Sequence, residues 1–138
     1  MKVLYTAEAT AKGGREGSVS TSDNKVEHNL STPEGLGGPG GEGTNPEQLF
    51  ACGYSACFDG ALNLVAYQSG EDIESKVTAK VDIGKGNDGL GLGVQIHVEI
   101  SGVDQAKAEE LVNKAHDVCP YSKATRGNIE VSLETKAV

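Results

Sequence analysis

Residues 35–43 read Gly35-Leu36-Gly37-Gly38-Pro39-Gly40-Gly41-Glu42-Gly43, six glycines and a proline in nine positions. No helix interior accepts this composition, since each Gly costs about 1 kcal/mol there and Pro about 3. A central strand is excluded as well, because Pro cannot donate to the ladder. The segment is predicted to be a loop, and it parts a strand-patterned beginning from a stretch that opens on a helix. The letters Gly-x-Gly-x-x-Gly occur at 35–40. Pro39 lies inside them, the helix starts too late, and no βαβ unit surrounds them, so a dinucleotide site is not indicated. A loop whose backbone passes close to another segment is the preferred reading.

Before the loop, Val3, Tyr5, Ala7 and Ala9 alternate with Leu4, Thr6, Glu8 and Thr10, which predicts a strand over 2–10. Gly13-Gly14 makes a turn that carries Arg15. Strands near 17–22 and 25–31 follow, joined at Asp23-Asn24. After the loop, Asn45 is an N-cap, Pro46 fits the first helical position, Glu47 suits the positive end of the dipole, and Gln48 can close a capping box. From Leu49 to Tyr67 the helix is apolar nearly all round, with small residues at Ala51, Gly53, Ala56, Gly60 and Ala61; such a helix is expected to be buried. Gly70 ends it. Val77, Ala79, Val81 and Ile83 alternate, as do Leu90 through Ile100, and Gly86-Asn87-Asp88-Gly89 joins them as a hairpin. Asp104 caps a second helix to about Val118, with Ala108, Leu111, Val112 and Ala115 on its apolar face. Pro120 opens a short turn, and Ile129, Val131 and Leu133 mark a last strand. The order β-β-β-α-β-β-α-β predicts an α+β fold, antiparallel sheets around a buried central helix, in one domain over 1–138.

With 138 residues, 37% hydrophobic and 4% aromatic, the chain has a lean core. A core that lean borrows surface from a second copy, and a homodimer is expected. The net charge of −8 argues against nucleic acid, which needs clustered Lys and Arg, and against anionic membrane surfaces. No apolar run reaches the ~18 residues of a membrane span, and the N-terminus lacks a secretory apolar region. A cytoplasmic setting is expected, where thiols stay reduced and a disulfide is transient and catalytic.

Three cysteines stand in contrasting places. Cys57 lies inside the apolar helix; Cys119 lies where the second helix meets Pro120. Together they suggest a thiol that is oxidised and a second that resolves it. Mid-helix, Cys57 gains little from the helix dipole, so lowering its pKa needs a cation. Arg15, on its Gly-rich turn, is the candidate, and a carboxylate such as Glu47 can orient its fork. Glu47 and Cys57 are ten positions apart, ~15 Å along one helix. Either the helix bends at Gly53, or Arg15 and Glu47 serve Cys57 of a second subunit; the second is favoured. Cys52, rotated ~140° from Cys57, is expected to be a core filler. Plainer readings exist: a Cys in an apolar helix is usually a small hydrophobe, and Arg15 and Glu47 a solvated turn residue and a dipole partner. His28 and His116 are expected to be surface or satisfied, and His97 belongs to a strand. A Cys₃His metal site from Cys52, Cys57, His116 and Cys119 is not supported by the spacing.

The Gly-rich loop, Thr44-Asn45-Pro46-Glu47-Gln48-Leu49-Phe50-Ala51, Gly53-Tyr54-Ser55-Ala56-Cys57-Phe58 and Cys119-Pro120-Tyr121-Ser122 together closely resemble the organic hydroperoxide resistance branch of the OsmC/Ohr family. The resemblance covers essentially the whole chain. It implies an intertwined α+β homodimer with two interface sites, working as a thiol-dependent peroxidase on organic hydroperoxides, fatty-acid hydroperoxides included. Carried over, Cys57 matches the peroxidatic cysteine, Cys119 the resolving one, and Arg15 and Glu47 the pair that activates the thiol and binds the peroxide. No metal or resident cofactor is implied; the family is recycled by lipoyl-type dithiols, dihydrolipoamide on lipoylated proteins. An apolar pocket near Phe50, Phe58 and the Gly-rich loop would favour alkyl hydroperoxides, with Tyr121 either lining it or packed in the core. Cys52 departs from the family, which commonly has Ala there. The competing class is a non-enzymatic thiol redox sensor or binding protein.

Overall fold

Alternation in the first residues predicts more strand than forms. The computed structural model describes residues 1–138, and its chain divides into two compact units, Met1–Leu49 and Phe50–Val138. In the first, β1 is Ala9–Lys12, β2 Ser18–Thr21 and β3 Glu27–Asn29, paired antiparallel in the order β1-β2-β3. Residues 2–8, expected to be strand, are not. The reason is pairing: β1 meets only β2, from Ala9↔Thr21 to Lys12↔Ser18. The last bond on that side is Ser22 N–H to the Glu8 carbonyl, and beyond it β2 has turned away. In that turn Asp23 accepts from Thr21 Oγ1 and the Lys25 amide, and Asn24 takes φ 60°.

The Gly-rich segment is a loop, opened by a 3-10 turn at Glu34–Leu36. Its backbone does run close to another segment: a Cβ on Gly38 would lie 2.5 Å from the Thr32 carbonyl oxygen, and Leu30 bridges Thr44. Helix α1 spans Pro46–Gln68. Asn45 Oδ1 accepts the Gln48 amide at 2.8 Å, as an N-cap should. The reciprocal half of the capping box is absent, because Gln48 Oε1 instead accepts from Thr44 Oγ1. At the far end the Glu71 amide reaches back to the Ala66 carbonyl across Gly70, a Schellman closure.

Two expectations for α1 are corrected. Within the chain it is buried on one face, through Tyr54, Phe58, Ala61, Leu62, Val65 and Ala66; Cys52, Ala56, Gly60, Leu64 and Tyr67 are exposed. It is also long and apolar enough, by length and composition, to cross a membrane, although Gly and Ser interrupt the apolar run read from the sequence. Its buried face packs in a protein core.

In the second unit β4 (Glu74–Gly86) and β5 (Gly89–Ser101) form a long antiparallel hairpin across Asn87-Asp88. Helix α2 (Gln105–Val118) is capped by Asp104, whose carboxylate accepts the Lys107 amide. Helix α3 (Pro120–Thr125) follows at once, and β6 is Val131–Ala137. The sheet order is β4-β5-β6, and β6 runs parallel to β5. The sheet is therefore mixed, not antiparallel throughout: the α2–α3 crossover carries the chain back to the end of the sheet from which β5 started. Alternation divides the sheet's faces. Val94, Ile96, Val98 and Ile100 join the buried face of α1 and Ala108, Leu111, Val112 and Ala115 of α2 in one core. The opposite face carries His97, Glu99, Glu134 and Lys76, paired as His97–Glu134 and Lys76–Glu99.

Candidate functional site

The first group of functional side chains is built on the Gly13–Gly17 turn. Gly13 and Gly14 take φ 82° and 63°, conformations that cost other residues dearly. They fold the chain into a 3-10 turn, Gly14–Glu16, with Arg15 at its centre. Glu16 fixes the turn by accepting the Thr32 amide. Arg15 meets Glu47 of the first turn of α1 fork to fork: Nη1 to Oε2 at 2.9 Å and Nη2 to Oε1 at 2.7 Å. The Glu47 side chain is 13% exposed and Arg15 36%. The two hydrogen bonds from Arg15 hold Glu47 below the usual carboxylate range despite partial burial, and the same bonds raise the guanidinium. A bidentate pair of this kind locks the plane of the guanidinium and leaves its remaining donors free to aim at an anion.

The second group lies within the second unit. Cys57 comes from the middle of α1. Cys119 is at once the C-cap of α2 and the N-cap of α3: its amide donates to Ala115 and its carbonyl accepts from Lys123. The fold brings the two sulfurs to 3.6 Å, across 62 positions of sequence. Cys119 is fully buried and Cys57 partly so. Burial pushes the Cys57 thiol up, as does Cys119 beside it, while the Tyr121 backbone pulls it down. Cys52, expected in the core, is exposed, because one face of α1 is uncovered within the chain. Two thiols this close can be joined as a disulfide with little backbone movement.

The segments that carry the thiols, α1 and α3, also bring aromatic rings together. Phe50, Tyr54 and Tyr121 form a cluster with centroids 5.8–6.2 Å apart. Tyr121 lies against α1 at Gly53, where a Cβ would meet its hydroxyl at 3.0 Å, which explains a glycine inside a helix. Tyr121 is 40% exposed. Phe58, expected beside Phe50 and Tyr121 as a pocket residue, is instead fully buried in the core. His116, expected to be surface or satisfied, bonds Ser122 Oγ at 2.9 Å. Tyr54 and Ser122, given no role from sequence, are fully buried and joined through their hydroxyls at 2.8 Å; a Tyr three positions before a Cys on a helix was the available signal. No group of three or more His, Cys, Asp or Glu side chains is arranged to hold a metal.

A mixed three-stranded sheet packed on a long helix, with one thiol mid-helix and a second at a helix junction, defines a class. Residues 38–134 match the model of the OsmC-like proteins, and the chain belongs to that family. Within it, the chain is similar to proteins named for organic hydroperoxide resistance. It is 54% identical over 134 residues to one from Xanthomonas axonopodis pv. citri, covering 96% of this chain and 94% of the relative. A crystal structure of one from Elizabethkingia anophelis superposes with a TM-score of 0.95 at 51% identity, over 100% of both chains. That of OhrB of Bacillus subtilis gives 0.90 at 45%, over 97% and 100%.

Proposed function

We propose that this protein defends against organic hydroperoxides, and does so as a cysteine-based peroxidase reducing alkyl and fatty-acid hydroperoxides to alcohols. The family and the names of its relatives support resistance to organic hydroperoxides. The observation that carries the finer reading is the pair of thiols 3.6 Å apart, one partly exposed and one buried. The Cys57 thiolate attacks the distal oxygen of the hydroperoxide. The O–O bond breaks, the alkoxide takes a proton and leaves as the alcohol, and Cys57 becomes a sulfenic acid. The Cys119 thiol then attacks that sulfur; the S–S bond forms and the oxygen leaves as water. A lipoyl-type dithiol, dihydrolipoamide or a lipoylated protein, reduces the disulfide by exchange. No resident cofactor or metal takes part, and the setting is the cytoplasm.

The working unit is an intertwined homodimer, in which the partner's Arg15 and the partner's Glu47 serve Cys57. Two features support this. The sheet β1-β2-β3 contributes almost nothing to a core, Leu30 being the one buried hydrophobic residue among 1–49, and a small sheet needs a covered apolar face. In addition, α1 is helical throughout Pro46–Gln68, with no break in the helix at Gly53. The guanidinium stabilises the thiolate and the charge developing on the leaving oxygen. Phe50 and Tyr121 offer apolar surface to an alkyl chain.

Consumption of cumene hydroperoxide with dihydrolipoamide tests the reading. Sustained turnover is expected, abolished by Cys57→Ser. Cys119→Ser should lose sustained turnover, its sulfenic acid passing on to sulfinic acid as further peroxide is added. Stoichiometric oxidation of the unaltered protein without turnover would favour a thiol sensor instead.

A further inference from the structure

Behind the thiol pair lies a chain of polar groups that the proposed chemistry does not use. The Tyr54 hydroxyl bonds Ser122 Oγ at 2.8 Å and Thr125 Oγ1 at 3.1 Å, and Ser122 Oγ bonds His116 Nδ1 at 2.9 Å. Tyr54 and Ser122 have no exposed surface and Thr125 6%. Hydroxyls buried this deeply are costly unless bonded, and no buried side-chain N or O lacks a partner. The network is therefore fully bonded within the core.

Its placement around the thiols follows from helical spacing. Tyr54 precedes Cys57 by three residues on α1, His116 precedes Cys119 by three in the last turn of α2, and Ser122 follows Cys119 by three on α3. Positions three apart in a helix lie one turn away on the same side. The three bonded groups thus tie together the three segments that carry the two sulfurs. Arg126 adds a bond to the His116 carbonyl, fastening the end of α2 to the residue after α3.

We propose that Tyr54, Ser122 and His116 form a positioning clamp that holds the Cys119 turn against α1 and so sets the rate at which the Cys57 sulfenic acid is closed to the disulfide. The inference rests on the peroxidase reading above. Closure brings the sulfurs from 3.6 Å to about 2.05 Å. With the backbone clamped, side-chain rotation supplies that movement. With the clamp cut, the Cys119 turn drifts, and a drift of about 1 Å can slow a positioned step up to about a hundredfold. The step competes with a second hydroperoxide, which oxidises the sulfenic acid to sulfinic acid and is itself reduced to alcohol. The clamp therefore decides how the sulfenic acid partitions.

The test uses the full-length protein with Tyr54→Phe and Ser122→Ala, two variants so that misfolding of one leaves the other. Cumene hydroperoxide is added in rising amounts without dithiol. Sulfenic acid formation is followed by rapid mixing, and disulfide and sulfinic acid are counted by mass spectrometry. At least about tenfold slower closure is expected in each folded variant, with a matching rise in the sulfinic fraction towards that of Cys119→Ser, and with the first oxidation retained. Closure and sulfinic fraction equal to the unaltered protein would overturn the clamp, as would slowing of both steps in equal proportion. If the unaltered protein is not oxidised at all, the peroxidase reading falls and the clamp with it; if it turns over and only the partition is unmoved, the clamp alone falls.

Discussion

Arg15 and Glu47, 32 positions apart, meet through two parallel hydrogen bonds of 2.9 and 2.7 Å. A single bond would leave the guanidinium free to rotate; two fix its plane. Glu47→Ala frees the fork, and its expected effect falls on the first oxidation. That step should slow by about ten- to a hundredfold, the scale of losing one aimed donor or slightly less, with the disulfide step retained. Arg15→Lys should not restore it, since an ammonium lacks the planar fork. Rapid-mixing kinetics with a hydroperoxide separates the two steps, and equal slowing of both would count against this role.

The pH dependence follows from the same pair. Arg15 depresses the Glu47 pKa, so the pair's contribution to stability is present above the unfolded carboxylate value of about 4.3 and is lost only as pH falls through the still lower folded value. Arg15 is charged throughout. Burial raises the Cys57 thiol, and in the proposed dimer the partner's Arg15 would lower it. Arg15→Ala should shift the pH profile of Cys57 alkylation to higher pH, leaving less thiolate at neutrality. An unmoved profile would show that Arg15 does not act on this thiol.

Assembly and chemistry can be tested together. Light scattering should give twice the chain mass of 14.3 kDa. If the site spans the interface as proposed, mixed dimers of Arg15→Ala and Cys57→Ser chains should keep one working site, the intact Cys57 of one chain being served by the intact Arg15 of the other. Sites contained within one chain would leave the mixed dimer inactive.

The Gly-rich loop offers a contrast in stability. A Cβ on Gly38 collides with the Thr32 backbone, whereas one on Gly35 meets nothing within 4 Å. Gly38→Ala should lower the urea midpoint by an amount worth about 1–3 kcal/mol, the range for overpacking, and Gly35→Ala should leave it nearly unchanged. Equal effects would mean that the loop yields freely.

What was legible in the sequence was local. Asn45, Asp104, Pro120 and Gly70 marked helix ends because capping acts within four residues. Asn87-Asp88 fixed a hairpin because two residues suffice to turn a chain. Cys57, Cys119, Arg15 and Glu47 were legible as candidates from their residue types, their settings and their resemblance to a family. The burial of Phe58 was not legible, because an aromatic in an apolar helix reads alike whether it faces a pocket or a core. Cys52 was placed in the core because helical rotation gives an angle and no neighbour.

The sequence by itself determined the elements, their order and the chemical groups they carry, since propensity, periodicity and caps depend on a few adjacent residues. Tertiary structure alone decided that β6 lies parallel to β5, that residues 2–8 find no strand partner, that Arg15 closes on Glu47, and that Tyr54 and His116 meet Ser122 behind two thiols 3.6 Å apart. Each of these rests on groups from different elements being packed together, and no local rule encodes which distant surface a side chain will reach.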